Sequence, residues 1–244
     1  PRVVEQDCDV EQLMGILTSQ DQRYLSDGYI VTDNGRYLGL GTGEELVRTV
    51  TEIRIEAARY ANPLTFLPGN IPISAHIDRL LARDAGFHAC YVDLNQFKPF
   101  NDQYGYWQGD EVLKFAATVL AGVCDPQRDF LGHVGGDDFV ILFQSDDWEE
   151  RCAKALRQFD EQILNLVEPE DLRRGGFAGE DRKGRPVFNP LPSLSIGAVR
   201  VQPGQFHTHH EISAVCAGAG TTASRPPEHG GGVHDAPPHL GLRR

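Results

Sequence analysis

Residues 130–143 read FLGHVGGDDFVILF, two apolar runs on either side of Gly135, Gly136, Asp137 and Asp138. Paired glycines between β-formers are what a tight hairpin needs, because they accept a positive φ without steric cost. Such a hairpin carries Asp137 and Asp138 together at its tip. Adjacent carboxylates at the mouth of a sheet repel one another and lose solvation, so a cation between them, usually Mg²⁺, makes the pair tolerable. An ordinary solvated Gly-Asp turn has the same local pattern. The rest of the chain has to decide between the two.

Upstream, residues 87–94 read as a strand interrupted by a single charge, Asp93. An acid in the buried central strand of an α/β sheet is expensive unless it is paired or bound to metal. Residues 95–109 are polar and aromatic, with a loop between Asn101 and Asp110. After Gly109 and Asp110 comes a helix whose buried face is Val112, Leu113, Phe115, Ala116, Val119 and Leu120. This strand–helix–hairpin order lets the two strands lie side by side with their acids at one edge. Converging there, Asp93, Asp137 and Asp138 would hold one or two Mg²⁺ ions, the arrangement used for phosphoryl or nucleotidyl transfer. Asn101 and Asp110 flank the loop. An amide and a carboxylate together complement the N1–H, N2–H₂ and O6 pattern of guanine.

Composition limits the alternatives. A formal charge of -12 argues against nucleic acid or an anionic lipid surface as the main partner, since both require a basic footprint. No apolar run approaches the roughly eighteen residues of a membrane span. The five cysteines are scattered without a CxxC pair, so neither a disulfide framework nor a zinc site is expected. A reducing, cytoplasmic setting follows, and the absence of an initiator Met suggests a fragment of a longer protein.

Further from the hairpin, an acid-rich stretch at 7–12 leads into an expected helix. Residues 28–32 and 37–40 read as a strand pair turning at 33–35. Thr42 caps a long amphipathic helix ending at Asn62 and Pro63, either a coupling element or a spacer. Residues 62–70, NPLTFLPGN, form a stiff proline-punctuated connector before a helix running to about Asp84. Residues 148–167 read as a helix, 175–190 as a hairpin arm and 193–201 as a strand. From Cys216 onward the chain is rich in Gly, Pro and His, without period, and is expected to be disordered.

Taken together, NPLTFLPGN, VDLNQFKPFND, GYWQGDEVL, GHVGGDDFVILF and LSIGAV follow one another between residues 62 and 201. In that order and spacing they resemble the GGDEF family, the diguanylate cyclases. The resemblance implies an α/β (α+β), palm-like fold with a central, mostly antiparallel sheet surrounded by helices. It also implies condensation of two GTP into cyclic di-GMP across a homodimer, with Mg²⁺ or Mn²⁺. Carried over by position, Asp93 binds metal through its carboxylate and Leu94 through its carbonyl. Asp137 becomes the catalytic metal ligand that helps activate a 3′-hydroxyl, and Asp138 supports a second metal. Lys98 neutralises phosphate, while Asn101 and Asp110 read guanine.

The departures from the family pattern are specific. Asp138 stands where Glu is usual, Asn95 where a second Asp is often seen, and His133 where Arg is common. In the product-binding RxxD motif Pro126 replaces the Arg, although Asp129 matches the Asp. After its SIG strand the family continues with a helix bearing a Lys and an Arg, then a closing strand; here residues 211–215 begin that helix, but neither the basic pair nor the strand is found. Residues 28–48 resemble the strand–strand–helix end of a CBS module. The expected organisation is therefore a partial CBS-like segment and connecting helix at 1–60, a GGDEF domain at 61–215, and a non-family tail at 216–244. Two functions compete: a diguanylate cyclase, or a weak or inactive module that binds GTP or dimerises and regulates a neighbouring phosphodiesterase domain, which similar architectures often carry upstream.

Overall fold

The structure, a computed structural model, describes residues 2–6, 8, 15, 28–180, 183–220 and 233–236. The chain divides into two compact units, Pro1–Arg59 and Tyr60–Arg244. In the first, strand β1 (Arg2–Glu5) runs parallel to β2 (Tyr29–Asp33), which turns back into β3 (Arg36–Gly41). Asn34 and Gly35 occupy the turn with φ of 49° and 75°, the two positive values of a type I′ hairpin. Helix α1 (Gly43–Arg59) opens with a capping box: the Glu45 amide donates to Thr42 Oγ1, and Glu45 Oε2 accepts from the Thr42 amide. Leu46 and Val50 bury against Val4 and Tyr29. The helix ends at Arg59, three residues before the prolyl bond expected to stop it. The helix expected after 7–12 lies outside the described residues.

The second unit is built on a five-stranded sheet ordered β10-β9-β4-β6-β5. Its strands are β4 (Phe87–Asn95), β5 (Phe130–Gly135), β6 (Asp138–Phe143), β9 (Ser193–Val201) and β10 (Val233–Ala236). All pairs are antiparallel except β10 with β9. Strand period two sorts the side chains into two layers. Cys90, Val92, Leu94, Phe139, Ile141 and Phe143 face α3 (Phe97–Tyr104), α4 (Tyr106–Ala121) and α5 (Trp148–Gln162). On the opposite face Ala89, Val140, Leu142 and Val199 meet Ile73, Ile77 and Leu80 of α2 (Asn70–Ala82) and Ile212 of α7 (His209–Gly220). This is a mixed α+β fold, a central antiparallel sheet surrounded by helices. Burying each such Leu, Ile or Val is worth about 1.5–3 kcal/mol, so the two central strands are the best anchored part of the fold.

A 3₁₀ turn (Ile163–Leu166) completes the helix expected over 148–167, and α6 (Pro169–Arg174) leads into a hairpin of β7 (Gly176–Glu180) and β8 (Pro186–Pro190). Two expectations are corrected. The loop expected between Asn101 and Asp110 is largely helical: α3 carries Phe97, Phe100 and Tyr104 at helical spacing, Phe100 is fully buried, and Gly105 at φ 83° separates α3 from α4. Aromatics are weak helix formers, and packing against the sheet overrides that preference. A closing strand also exists, because Val233–Ala236 adds β10 beside β9. Residues 221–232 and 237–244 lie outside the described residues. No helix among the described residues is long and apolar enough to cross a membrane.

Candidate active site

The β5–β6 register pairs Gly135 with Asp138, leaving Gly136 and Asp137 as a two-residue turn. Gly136 has φ 60°, the positive value a type II′ turn needs at its first central residue. Asp138 then opens β6 directly opposite Asp93 of β4. Residues paired across antiparallel strands share a face, so both acids stand on the α2/α7 side of the sheet. Carboxylate oxygens of Asp93, Asp137 and Asp138 all lie within 4.8 Å of one another. Burial, then the charges of Asp137 and Asp138, raise the Asp93 pKa above the ordinary carboxylate range. Asp138 is raised likewise, by burial and then by Asp137. Three crowded oxygen donors whose charged forms disfavour one another fit a hard divalent cation, which would relieve that repulsion.

The 62–70 connector does more than link. Its Pro68 carbonyl accepts the His133 amide at 2.9 Å, and Asn70 Nδ2 donates to the Val134 carbonyl at 3.1 Å. Thr65 Oγ1 meets His133 Nδ1 at 2.9 Å, while His133 Nε2 lies 3.1 Å from the Gly136 carbonyl. A carbonyl only accepts, so Nε2 carries the proton and Nδ1 accepts from Thr65. Burial lowers the His133 pKa and favours this neutral ring, which stacks on Phe139 at 4.2 Å. In the position where the family often has Arg, His133 thus braces the turn from inside. Thr65, Pro68 and Asn70 were not legible as site-positioning residues in the sequence; an isolated His within an apolar strand was the one available signal.

The other expected residues are placed as follows. Leu94 has a buried side chain and is the first residue of β4 beyond the β6 ladder, which ends at Asp93. Lys98 is exposed on the first turn of α3, the helix that leaves β4 at its acid-bearing end. Asn101 lies on α3 and Asp110 on α4, with the Asn101 side chain seated on Gly109, where a Cβ would stand 1.7 Å from its Oδ1. That Oδ1 is buried and has no hydrogen-bond partner. A buried acceptor left unpaired costs about 1–3 kcal/mol, so the atom is suited to a donor from a ligand. Asn95 is structural, its Nδ2 donating to Ser193 Oγ at 3.1 Å and Ser195 Oγ at 2.6 Å on β9.

Asp129, the surviving half of RxxD, is wholly engaged. Its buried carboxylate accepts from the amides of Asp125, Gln144 and Ser145 and from Ser145 Oγ, at 2.8–3.0 Å. On the α2/α7 side, α7 packs Ile212 into the core and Ser213 against the Tyr91 hydroxyl at 3.3 Å. No Lys or Arg occurs between residues 209 and 220.

Residues 60–173 match the family model described as diguanylate cyclase, GGDEF domain, and this stretch of the chain is a GGDEF domain. Diguanylate cyclase DgcP of Pseudomonas aeruginosa is 35% identical over 92 residues, 36% of this chain and 14% of that protein. The bifunctional diguanylate cyclase/cyclic di-GMP phosphodiesterase MucR of the same organism is 26% identical over 163 residues, 65% of this chain and 21% of MucR. The chain thus spans about a fifth or less of the length of these two relatives. Among solved structures, the coiled coil and GGDEF domain of DgcB from Caulobacter crescentus, in complex with c-di-GMP, superposes with a TM-score of 0.54 at 18% identity, covering 79% of this chain and 94% of that one. That likeness is one of fold. The family match begins at residue 60 and gives the CBS-like reading of the preceding unit no support.

Proposed function

We propose that this domain condenses two molecules of GTP into cyclic di-GMP as a homodimer. The observation that carries the reading is the convergence of Asp93, Asp137 and Asp138 within 4.8 Å at the end of the central strand pair. Each copy has one such cluster among its described residues and the product contains two nucleotides, so two copies must face each other. Asp93, Asp137 and Asp138, with the Leu94 carbonyl, would hold Mg²⁺ or Mn²⁺. Bound there, a divalent ion offsets phosphate charge and lowers the pKa of the attacking 3′-hydroxyl. Asn101 and Asp110 hold the guanine edge, and the unpaired Asn101 Oδ1 supports that role. Lys98 meets phosphate.

A second reading has its own support. Asp138 is one methylene shorter than Glu, and α7 offers no cation for the triphosphate. A module of this kind would bind GTP, or only dimerise, and regulate a neighbouring phosphodiesterase domain; the name of MucR places a cyclase and a cyclic di-GMP phosphodiesterase activity in one protein. No ligand is assigned to the first unit.

Incubation with GTP and Mg²⁺ or Mn²⁺, with product followed by chromatography and GTP affinity by calorimetry, separates the two. Cyclic di-GMP that disappears in Asp137→Ala is the expected result. GTP binding without product would establish the second reading in its place.

A further inference from the structure

Resting on the guanine-reading role of Asn101 and Asp110, we propose that Trp107 is the stacking platform for the purine ring at that site. Trp107 and Tyr106 open α4 with 80% and 79% of their surfaces exposed; among the large hydrophobic side chains of the described residues only Phe66, also at 79%, is exposed as far. Rings of that size usually bury most of their area, so their exposure at the start of one helix calls for an occupant. Asp110 lies three residues beyond Trp107 and four beyond Tyr106, and positions so spaced are neighbours on a helix surface. Helical side chains lean towards the N-terminus, which carries the Asp110 carboxylate back over the turn that bears both rings.

Two neighbouring contacts fix this geometry. Gln108 Nε2 donates to the Leu166 carbonyl at 3.0 Å and ties the far side of the turn to the 3₁₀ segment. Gly109 lacks the Cβ that would collide with Asn101, so the amide can lie against α4 beside Asp110. A base whose edge is held by the carboxylate and the buried Asn101 Oδ1 leaves its faces free, and the indole is the ring closest in sequence to Asp110 that can cover one. Amide and carboxylate select guanine by its edge; the ring adds affinity that is indifferent to the edge.

The full chain has two tryptophans, and the second, Trp148, is only 6% exposed, so acrylamide quenching reads Trp107 selectively. GTP and GDP should protect Trp107 from acrylamide. Trp107→Ala should weaken GTP binding about tenfold by calorimetry, within the range for a base stacked on an aromatic ring, while Trp107→Phe stays within about threefold of the parent. Calorimetric binding of GTP with unchanged acrylamide access, or with equal affinity in Trp107→Ala, overturns the proposal and leaves the guanine site standing. Protection that follows protein concentration without nucleotide overturns it in favour of a contact between copies. Absence of any heat with GTP removes the guanine site and the platform with it.

Discussion

Asp138 stands at the last rung of the β4–β6 ladder, so its reach is set by backbone that the strand register has already fixed. A Glu there would carry its carboxylate about one ångström further, and displacement on that scale changes rates by up to about 10²-fold. Asp138→Glu should therefore raise turnover, measured as initial cyclic di-GMP formation; an unchanged rate would place the deficit elsewhere, with the cation-free α7 the next candidate. His76 offers a pH-dependent residue outside the site. Burial, then Arg79 and Arg83, lower its pKa to about 4, and its ring stacks on Phe130 at 4.3 Å. Because the folded value lies below the ordinary one, the folded state resists protonation. The stability contributed by the neutral ring is complete above about pH 6.5 and is lost as pH falls towards 4. Melting curves across that window should fall less steeply for His76→Phe.

At the scale of elements, the acid-bearing hairpin is held from outside at both ends. Pro68, Thr65 and Asn70 bind its tip through His133 and Val134. Asp129, just before β5, binds Gln144 and Ser145 just after β6. Without the Arg of the motif, the Asp129 carboxylate still has this architectural role. Asp129→Ala should cost about 2–4 kcal/mol in urea unfolding, since it strands buried amides without acceptors. For the same reason added cyclic di-GMP should leave the initial rate unchanged. Inhibition that survives in the alanine variant would show product acting at some other place.

For the whole molecule, the proposed condensation joins two nucleotides, whereas the described residues hold one acid cluster. Product formation per subunit should rise with protein concentration until dimers dominate, and Asp137→Ala subunits mixed with parent should depress activity more than dilution alone. A specific rate independent of concentration over the micromolar range would contradict an encounter between two copies.

The sequence by itself determined what depends on near neighbours. Gly136 needs a positive φ, apolar runs flank the turn, and Leu46 and Val50 recur at helical period, so the hairpin and most helices were legible. Asp93, Asp137 and Asp138 were legible as a converging set, and the structure brings their oxygens within 4.8 Å of one another. The helix at 97–104 was not legible because Phe and Tyr gain helical stability from the sheet beneath them. β10 escaped because its strand character rests on pairing with β9. Only the tertiary structure decided that Asp93 faces Asp138 across one rung, that Asn101 Oδ1 is buried without a partner beside Gly109, and that the loop of 62–70 braces the turn. Each of these joins residues distant in the chain, where register and packing, rather than local preference, set which groups meet and what their charges cost.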